Sequence, residues 1–352
     1  MILTSHFFFS TQFKEHSMKR LTMLFVLVFG LMMTAVSQGK FSGLAFGDYF
    51  YNISADGSMT GSHAKSYQGF QFRRIYFSYD DNLSDKFTFR FRTEDDQGAL
   101  FGNGKIGSFV KDAYLKWKGI FSGSDMTFGM QPTPAFDISE GLWGYRSIEK
   151  TIMDLRGIVD SRDLGVSLKG KVGDGGMVGY WVMIGNGAGT SKPESDKYKR
   201  YYLNIALKPI DNVTVTLYQD YAAKAPVAGA DMGKATTAIF ADYGMKGSYN
   251  VGAELFSQNV ANVGVAQGYA FFGTYDFTPD VAGILRYDIY DPNTSSSVKG
   301  DKKNLLIAGV SVAVDQNVWI QPHIEMESYE APTGGTAPDA SLTGFVTMFF
   351  KF

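Results

Sequence analysis

The sequence predicts an all-β fold: an antiparallel transmembrane β-barrel of 16 strands whose long third loop folds into the lumen. Three observations carry this. From Lys40 onward, segments of alternating hydrophobicity follow one another to the C-terminus. The connectors between them alternate long and short. Beyond residue 37 no apolar run reaches the roughly 18 residues that a membrane helix needs, yet 15% of the chain is Phe, Trp or Tyr and 40 residues are Gly. A period of two marks strands with unlike faces. Long connectors at one rim and short turns at the other form the asymmetry of an outer-membrane barrel.

The first element is an export signal. Met18-Lys19-Arg20 is a basic start, and the apolar run from Leu21 to Met33 is too short to span a bilayer stably. Ala35-Val36-Ser37 supplies small residues for cleavage after Ser37, with Gly39 as the alternative, and residues 1–17 precede the expected start. Removing residues 1–37 leaves 315 of the 352 residues and a formal charge of −4, since Lys14, Lys19, Arg20 and Glu15 go with them. That charge gives no surface for nucleic acid. The absence of cysteine excludes disulfides, thiolate metal sites and a lipid anchor on cysteine. One domain, residues 38–352, follows the 1–37 extension.

The strands come next. Long connectors are expected at 54–68, 96–109, 132–161, 186–198, 222–235, 259–267, 292–303 and 328–340. Short turns are expected at 81–86, 119–123, 172–175, 208–212, 247–248, 278–280 and 315–317. Phe87, Phe89 and Phe91 alternate with Thr88, Arg90, Arg92 and Glu94; Ala113, Leu115 and Trp117 with Asp112, Tyr114 and Lys116. Leu164, Val166 and Leu168 alternate with Asp163, Ser167 and Lys169, and Leu285, Tyr287 and Ile289 with Arg286, Asp288 and Tyr290. The apolar faces meet lipid and the charged faces line the lumen. One segment slips phase: Phe70 and Phe72 fall out of step with Ile75, Phe77 and Tyr79, and a β-bulge near Arg73 restores them to one face. The final segment sets Leu342, Val346, Met348 and Phe350 against Thr343, Thr347 and Lys351 and ends on Phe352, resembling the strand that the outer-membrane barrel assembly machinery recognises.

The third loop is long beyond ordinary connectors. It holds Phe136, Ile138, Leu142, Trp143, Tyr145, Ile148, Ile152, Met153, Leu155 and Ile158, too much apolar surface for a solvated loop. It also carries Asp137, Glu140, Arg146, Glu149, Lys150, Asp154, Arg156 and Asp160. The loop is therefore expected to pack its apolar groups on the inner wall and to narrow the pore with its charges. A barrel of this size encloses water, so such a constriction makes a filter. Alternation turns Arg90, Arg92, Arg200 and Arg286 inward, with Arg73 or Arg74, whichever the bulge selects. Guanidinium groups suit phosphate and carboxylate because the planar fork donates paired hydrogen bonds and stays charged. Glu94, Asp112, Glu254, Asp288, Glu325 and Glu327 point the same way, so charge balance within the lumen is the competing account.

Several segments together resemble the phosphate-selective porin family: the Arg73-Arg74 strand, Val110-Lys111-Asp112-Ala113-Tyr114, Gly129-Met130-Gln131-Pro132, Glu140-Gly141-Leu142-Trp143-Gly144-Tyr145-Arg146, Ser161-Arg162-Asp163-Leu164-Gly165, and Arg286-Tyr287-Asp288-Ile289-Tyr290-Asp291-Pro292. The resemblance covers nearly all of residues 40–352. It implies a homotrimeric 16-stranded outer-membrane channel, an inserted third loop and an arginine ladder that draws small anions inward. Members known for phosphate add basic clusters at the pore mouth, whereas the loops here mix signs.

Other classes find less in the residues. His323 shares an inward stripe with Gln321 and Glu325, so a lumen histidine bonded to its neighbours is expected rather than a hydrolase. Thr93-Glu94-Asp95-Asp96 and residues 288–294 are oxygen-rich but lack EF-hand spacing and read as solvated loop ends. Gly185-Asn186-Gly187-Ala188-Gly189 lacks a following Walker lysine. A surface anchor or adhesin has no evident need for the third loop. The expectation is a cofactor-free, non-enzymatic channel for small hydrophilic solutes, in contact with outer-membrane lipid.

Overall fold

The structure, a computed structural model, describes residues 39–100, 104–173, 176–190, 193–295 and 299–352. The expected export signal and the expected cleavage position after Ser37 lie outside the described residues. Its strands are β1 (Lys40–Ser54), β2 (Gln68–Asn82), β3 (Phe87–Leu100), β4 (Ile106–Phe121), β5 (Ser124–Pro132), β6 (Arg162–Val172), β7 (Val178–Gly185) and β8 (Arg200–Leu207). They continue with β9 (Val213–Ala222), β10 (Lys234–Met245), β11 (Tyr249–Val260), β12 (Gly264–Thr278), β13 (Val281–Asp291), β14 (Lys303–Asp315), β15 (Val318–Tyr329) and β16 (Ser341–Lys351). Each strand pairs antiparallel with its sequence neighbours, and β1 closes on β16 with Leu44 opposite Lys351 and Tyr51 opposite Gly344. The expected closed 16-stranded barrel is what forms, and among the described residues closure pairs the two end strands that would otherwise be sheet edges.

The wall is inside-out relative to a soluble protein. Outward residues such as Phe70, Phe128, Leu164, Val166, Leu285 and Val346 are exposed apolar groups, whereas Ser78, Glu94, Asp112, Asp163, Asp220 and Thr347 are buried on the inner face. An apolar exterior around a polar interior is the pattern of a barrel that sits in a bilayer.

Two connectors differ from expectation. The long connector expected at 259–267 is only residues 261–263, because the ladder continues through Val260 opposite Gly264 and closes a tight turn with Asn262 at φ 60°. Likewise β3 runs on to Leu100 and β4 begins at Ile106, well inside the span expected at 96–109. Hydrophobic alternation ends where the lipid ends, but hydrogen-bonded pairing extends above it. The bulge near Arg73 is present: Phe46 pairs with Arg74 and Gly47 with Phe72, leaving Arg73 as the extra residue.

The third loop, residues 133–161, folds into the lumen and contains two short helices, α1 (Asp137–Trp143) and α2 (Ile152–Leu155). Gly144 ends α1 in the left-handed region at φ 73°, its N–H donating to the Glu140 carbonyl at 3.1 Å. Phe136, Ile152, Met153, Ile158 and Val159 pack on Met183, Tyr202, Tyr218, Ala238, Phe256 and Ala270 of β7–β12. Trp143 and Ile148 form a second cluster with Ile284, Leu305 and Ile307 of β13 and β14. Burying one such side chain contributes about 1.5–3 kcal/mol. Polar ties supplement the packing: Ser147 Oγ donates to Gln321 at 2.7 Å, Gln258 Nε2 to the Ile158 carbonyl at 2.8 Å, and Asn250 Nδ2 to the Leu142 carbonyl at 2.8 Å.

Candidate functional site

Because the third loop lies against β7–β14, the open part of the lumen faces β2, β3, β4 and the start of β6. That stretch of wall carries a connected file of cations and carboxylates. Arg90 makes a bidentate pair with Asp80 at 2.7 and 2.9 Å. Arg92 donates to Ser78 Oγ at 2.7 Å and lies 3.3 Å from Asp112, which Arg162 also holds at 2.5 Å. Arg74 and Lys111 share Glu94 at 2.6 and 2.7 Å. Tyr76 sits between two guanidinium groups, with Arg92 4.9 Å and Arg74 5.3 Å from its ring centroid. Arg73 pairs with Asp48 at 3.1 Å and donates to the Ile148 carbonyl at 2.7 Å, tying the wall to the loop.

Across from this wall the loop presents Asp137, Glu140, Arg146, Lys150, Asp154 and Asp160, and between the two lies a polar cavity of about 250 Å³. Arg146 bridges Glu140 at 3.1 Å and Asp154 at 3.5 Å, which holds the loop's charged face in one arrangement. Enclosure from water pushes the Glu140 carboxyl above its usual range, against the pull of Arg146. Along this wall the cations Arg74, Arg92, Lys111 and Arg162 stand against the carboxylates Glu94, Asp96 and Asp112, while Arg90 and Asp80 pair at a separate cavity beside Asp81 and Lys116. The loop side carries the opposite bias, Asp137, Glu140, Asp154 and Asp160 against Arg146 and Lys150.

Several residues expected at the pore are placed differently. Both Arg73 and Arg74 turn inward, not one of them, because the bulged residue and its successor share a face. Arg200 and Arg286 do point inward but are covered, at 1% and 2% exposure. Arg200 is held by Asp220 at 2.7 Å. Arg286 is clamped by Asp288 at 2.6 Å, by the Lys150 carbonyl and beneath the Trp143 ring. Arg156 anchors the loop instead of facing the pore, bridging Glu327 at 3.1 Å and lying 5.3 Å from the Tyr290 ring. Glu149 stands at a neighbouring cavity beside Arg73 and Glu325. Glu94 and Asp288 are not in solvated loop ends; both lie in strands and are buried in ion pairs. His323 stacks on Phe345 with centroids 4.8 Å apart, its Nδ1 3.0 Å from the Gln321 carbonyl and its Nε2 3.7 Å from Glu325.

Lys111 and Arg162 are the members of the file that alternation alone misses. Lys111 turns inward at a second bulge, where Arg92 pairs with Asp112 but Thr93 pairs with Val110. Arg162 is the first residue of β6, where the chain leaves the loop and strict alternation has not begun.

No family profile and no curated protein match the chain. Solved structures do share its architecture. An anion-selective porin from Comamonas acidovorans is 13% identical with a TM-score of 0.65, covering 90% of this chain and 100% of that one. The outer-membrane channel DcaP of Acinetobacter baumannii is 13% identical with a TM-score of 0.63, over 90% and 98%. OprB of Pseudomonas putida is 10% identical with a TM-score of 0.66, over 89% and 94%. At these identities the likeness is one of fold, and the fold is the closed 16-stranded barrel of outer-membrane porins.

Proposed function

We propose that the chain is an outer-membrane porin, a water-filled channel for passive diffusion of small hydrophilic solutes with a preference for anions. The observation that carries this is the constriction itself: an inserted loop, pinned by buried apolar groups on one side, faces a wall file in which cations outnumber carboxylates. The resemblance to phosphate-selective porins and the barrel shared with an anion-selective porin support the same reading. Phosphate or a similar oxyanion is the preferred solute, since paired guanidinium donors match its geometry. The exported mature chain, its assembly through the Phe352 strand and a homotrimeric state belong to this reading.

A second reading, a general porin of weak selectivity, is favoured by one feature: the wall cations are already paired with Asp80, Glu94 and Asp112. Reversal potential in planar bilayers under a salt gradient separates the two. Anion selectivity with block by phosphate supports the first reading, and a weakly selective pore indifferent to phosphate supports the second. A chain that carries no current overturns both.

A further inference from the structure

The lumen contains a second compartment, chemically unlike the constriction, on the short-turn side of the third loop. Ile138 and Leu142 lie four residues apart on α1 and therefore share a helix face. Among the described residues neither belongs to the two apolar clusters that pin the loop to the wall. Their face lines, with the mostly buried Trp181 of β7, a cavity of about 500 Å³ bordered by four lysines, Lys116, Lys169, Lys171 and Lys208, and by one carboxylate, Asp125. The Lys169 ammonium sits 3.9 Å from the Trp181 ring centroid and 3.3 Å from Asp137. Among the described residues no carboxylate forms an ion pair with Lys116 or Lys208.

Half-buried aliphatic side chains lining the same cavity as an indole, in a lumen otherwise lined with charge, are surface that water solvates poorly. Lysines around it add charge that a small anion can approach from several directions, since an ammonium is a compact charge on a flexible stem. Each ligand class gains differently here. A bare oxyanion meets the lysines but leaves the apolar patch wet. An uncharged apolar solute covers the patch and leaves the lysines unanswered. An organic anion with an apolar body satisfies both.

We propose that this compartment is a binding subsite for small organic anions with an apolar body, such as aromatic or medium-chain carboxylates, at the periplasmic exit of the channel. The body lies on Ile138, Leu142 and Trp181, and the carboxylate faces Lys169 and Lys208. The inference takes its periplasmic direction from the porin reading above, because short turns face the periplasm in such barrels. The volume lies within the range of ordinary small-molecule sites.

The test uses the full chain in planar bilayers and three probes: 3-phenylpropionate, acetate and 3-phenylpropanol, each added from either side. Open-channel current is recorded before any probe, so failure of the porin reading shows itself first; in that case the same three compounds are titrated calorimetrically into the protein in nanodiscs. The expected result is binding or current block by 3-phenylpropionate at a concentration at least about tenfold lower than by acetate or 3-phenylpropanol, since the alcohol lacks the charge-assisted contact and acetate lacks the apolar body. In bilayers the block is stronger from the short-turn side. Lys169→Gln combined with Lys208→Gln, and separately Leu142→Ser, weaken it. Equal potency of acetate and 3-phenylpropionate, equal potency of 3-phenylpropanol, or a block untouched by these substitutions overturns the proposal. The wild-type probe comparison decides even if a variant fails to assemble.

Discussion

Replacing Arg92 by Gln isolates the contribution of one wall cation to selectivity. The Arg92 side chain is 19% exposed, and its loss leaves Asp112 still held by Arg162 at 2.5 Å, so no buried carboxylate is stranded. The wall simply loses one positive charge. For an ion passing about 5 Å away through water, a unit charge is worth roughly 0.8 kcal/mol, a factor of about four in local concentration. The factor acts in opposite senses on anions and cations. Screening over a Debye length of about 10 Å at 0.1 M reduces it to about twofold, and at 1 M, where that length is about 3 Å, little remains. Reversal potentials under salt gradients centred in dilute and in concentrated KCl read this directly. The variant should move toward cation preference in dilute salt and match the parent in concentrated salt. An identical reversal potential in dilute salt refutes the placement of Arg92 beside the ion path. Arg200→Gln provides the contrast, since that group is inside the barrel but covered. Selectivity should hold while the barrel loses stability, by about 3–5 kcal/mol for breaking a buried pair, seen as unfolding at lower temperature on gels.

Three further outcomes follow from the loop regions. Deleting residues 137–154 removes both helices with Trp143, Ile148, Ile152 and Met153, so single-channel conductance should rise; an unchanged or smaller conductance contradicts a loop that narrows the pore. Glu140, whose carboxyl enclosure pushes upward, should take up its proton above the usual carboxylate range. Lowering pH through that range then removes a negative charge from the constriction and raises anion preference, and Glu140→Gln should abolish this early step. Asp56 accepts from Ser58 N and Oγ and from the Asp339 N–H at 2.9 Å, joining the first and last long loops, and these donors pull its carboxyl down to about 2. A depressed carboxyl stabilises the folded loops above its ordinary value near 3.8 and loses that contribution as pH falls toward 2. Protease nicking of the 328–340 loop should therefore increase below about pH 4 in the parent, and already at neutral pH in Asp56→Ala; equal nicking at all pH values would falsify the clasp.

The barrel was legible because lipid imposes a rule at every second residue, and a strand has no other way to satisfy it. The bulge at Arg73 was legible for the same reason: Phe72 and Ile75 both need lipid. Val110 and Ala113 carry the same kind of phase slip, which would have found Lys111. What lay beyond reach was coverage. Alternation assigns Arg200 and Arg286 to the lumen but does not say which part of the lumen the third loop fills, and that depends on contacts such as Trp143 with Ile284 and Ile307, more than a hundred residues apart. Inward residues under the loop become structural ion pairs, whereas those opposite it face the pore. The constriction was therefore legible as a composition and not as a set of neighbours.

The arrangement ties pore width to pore selectivity. The anchoring groups of the third loop lie on β7–β14, while its carboxylates Asp137, Glu140 and Asp154 face the cation-rich wall. Any loosening of the anchors withdraws those carboxylates from the wall and widens the gap in the same movement. Trp143 is the anchor to test, since it is 2% exposed, donates through Nε1 to the Glu149 carbonyl at 2.8 Å and covers Arg286. Trp143→Ala should cost about 3–5 kcal/mol of local packing, enough to populate loop positions away from the wall. Conductance should then rise and anion preference rise with it, because the withdrawn carboxylates no longer offset the wall cations. A pore that widens with its selectivity intact would show that the file from Arg90 to Lys111 filters ions without the loop opposite it.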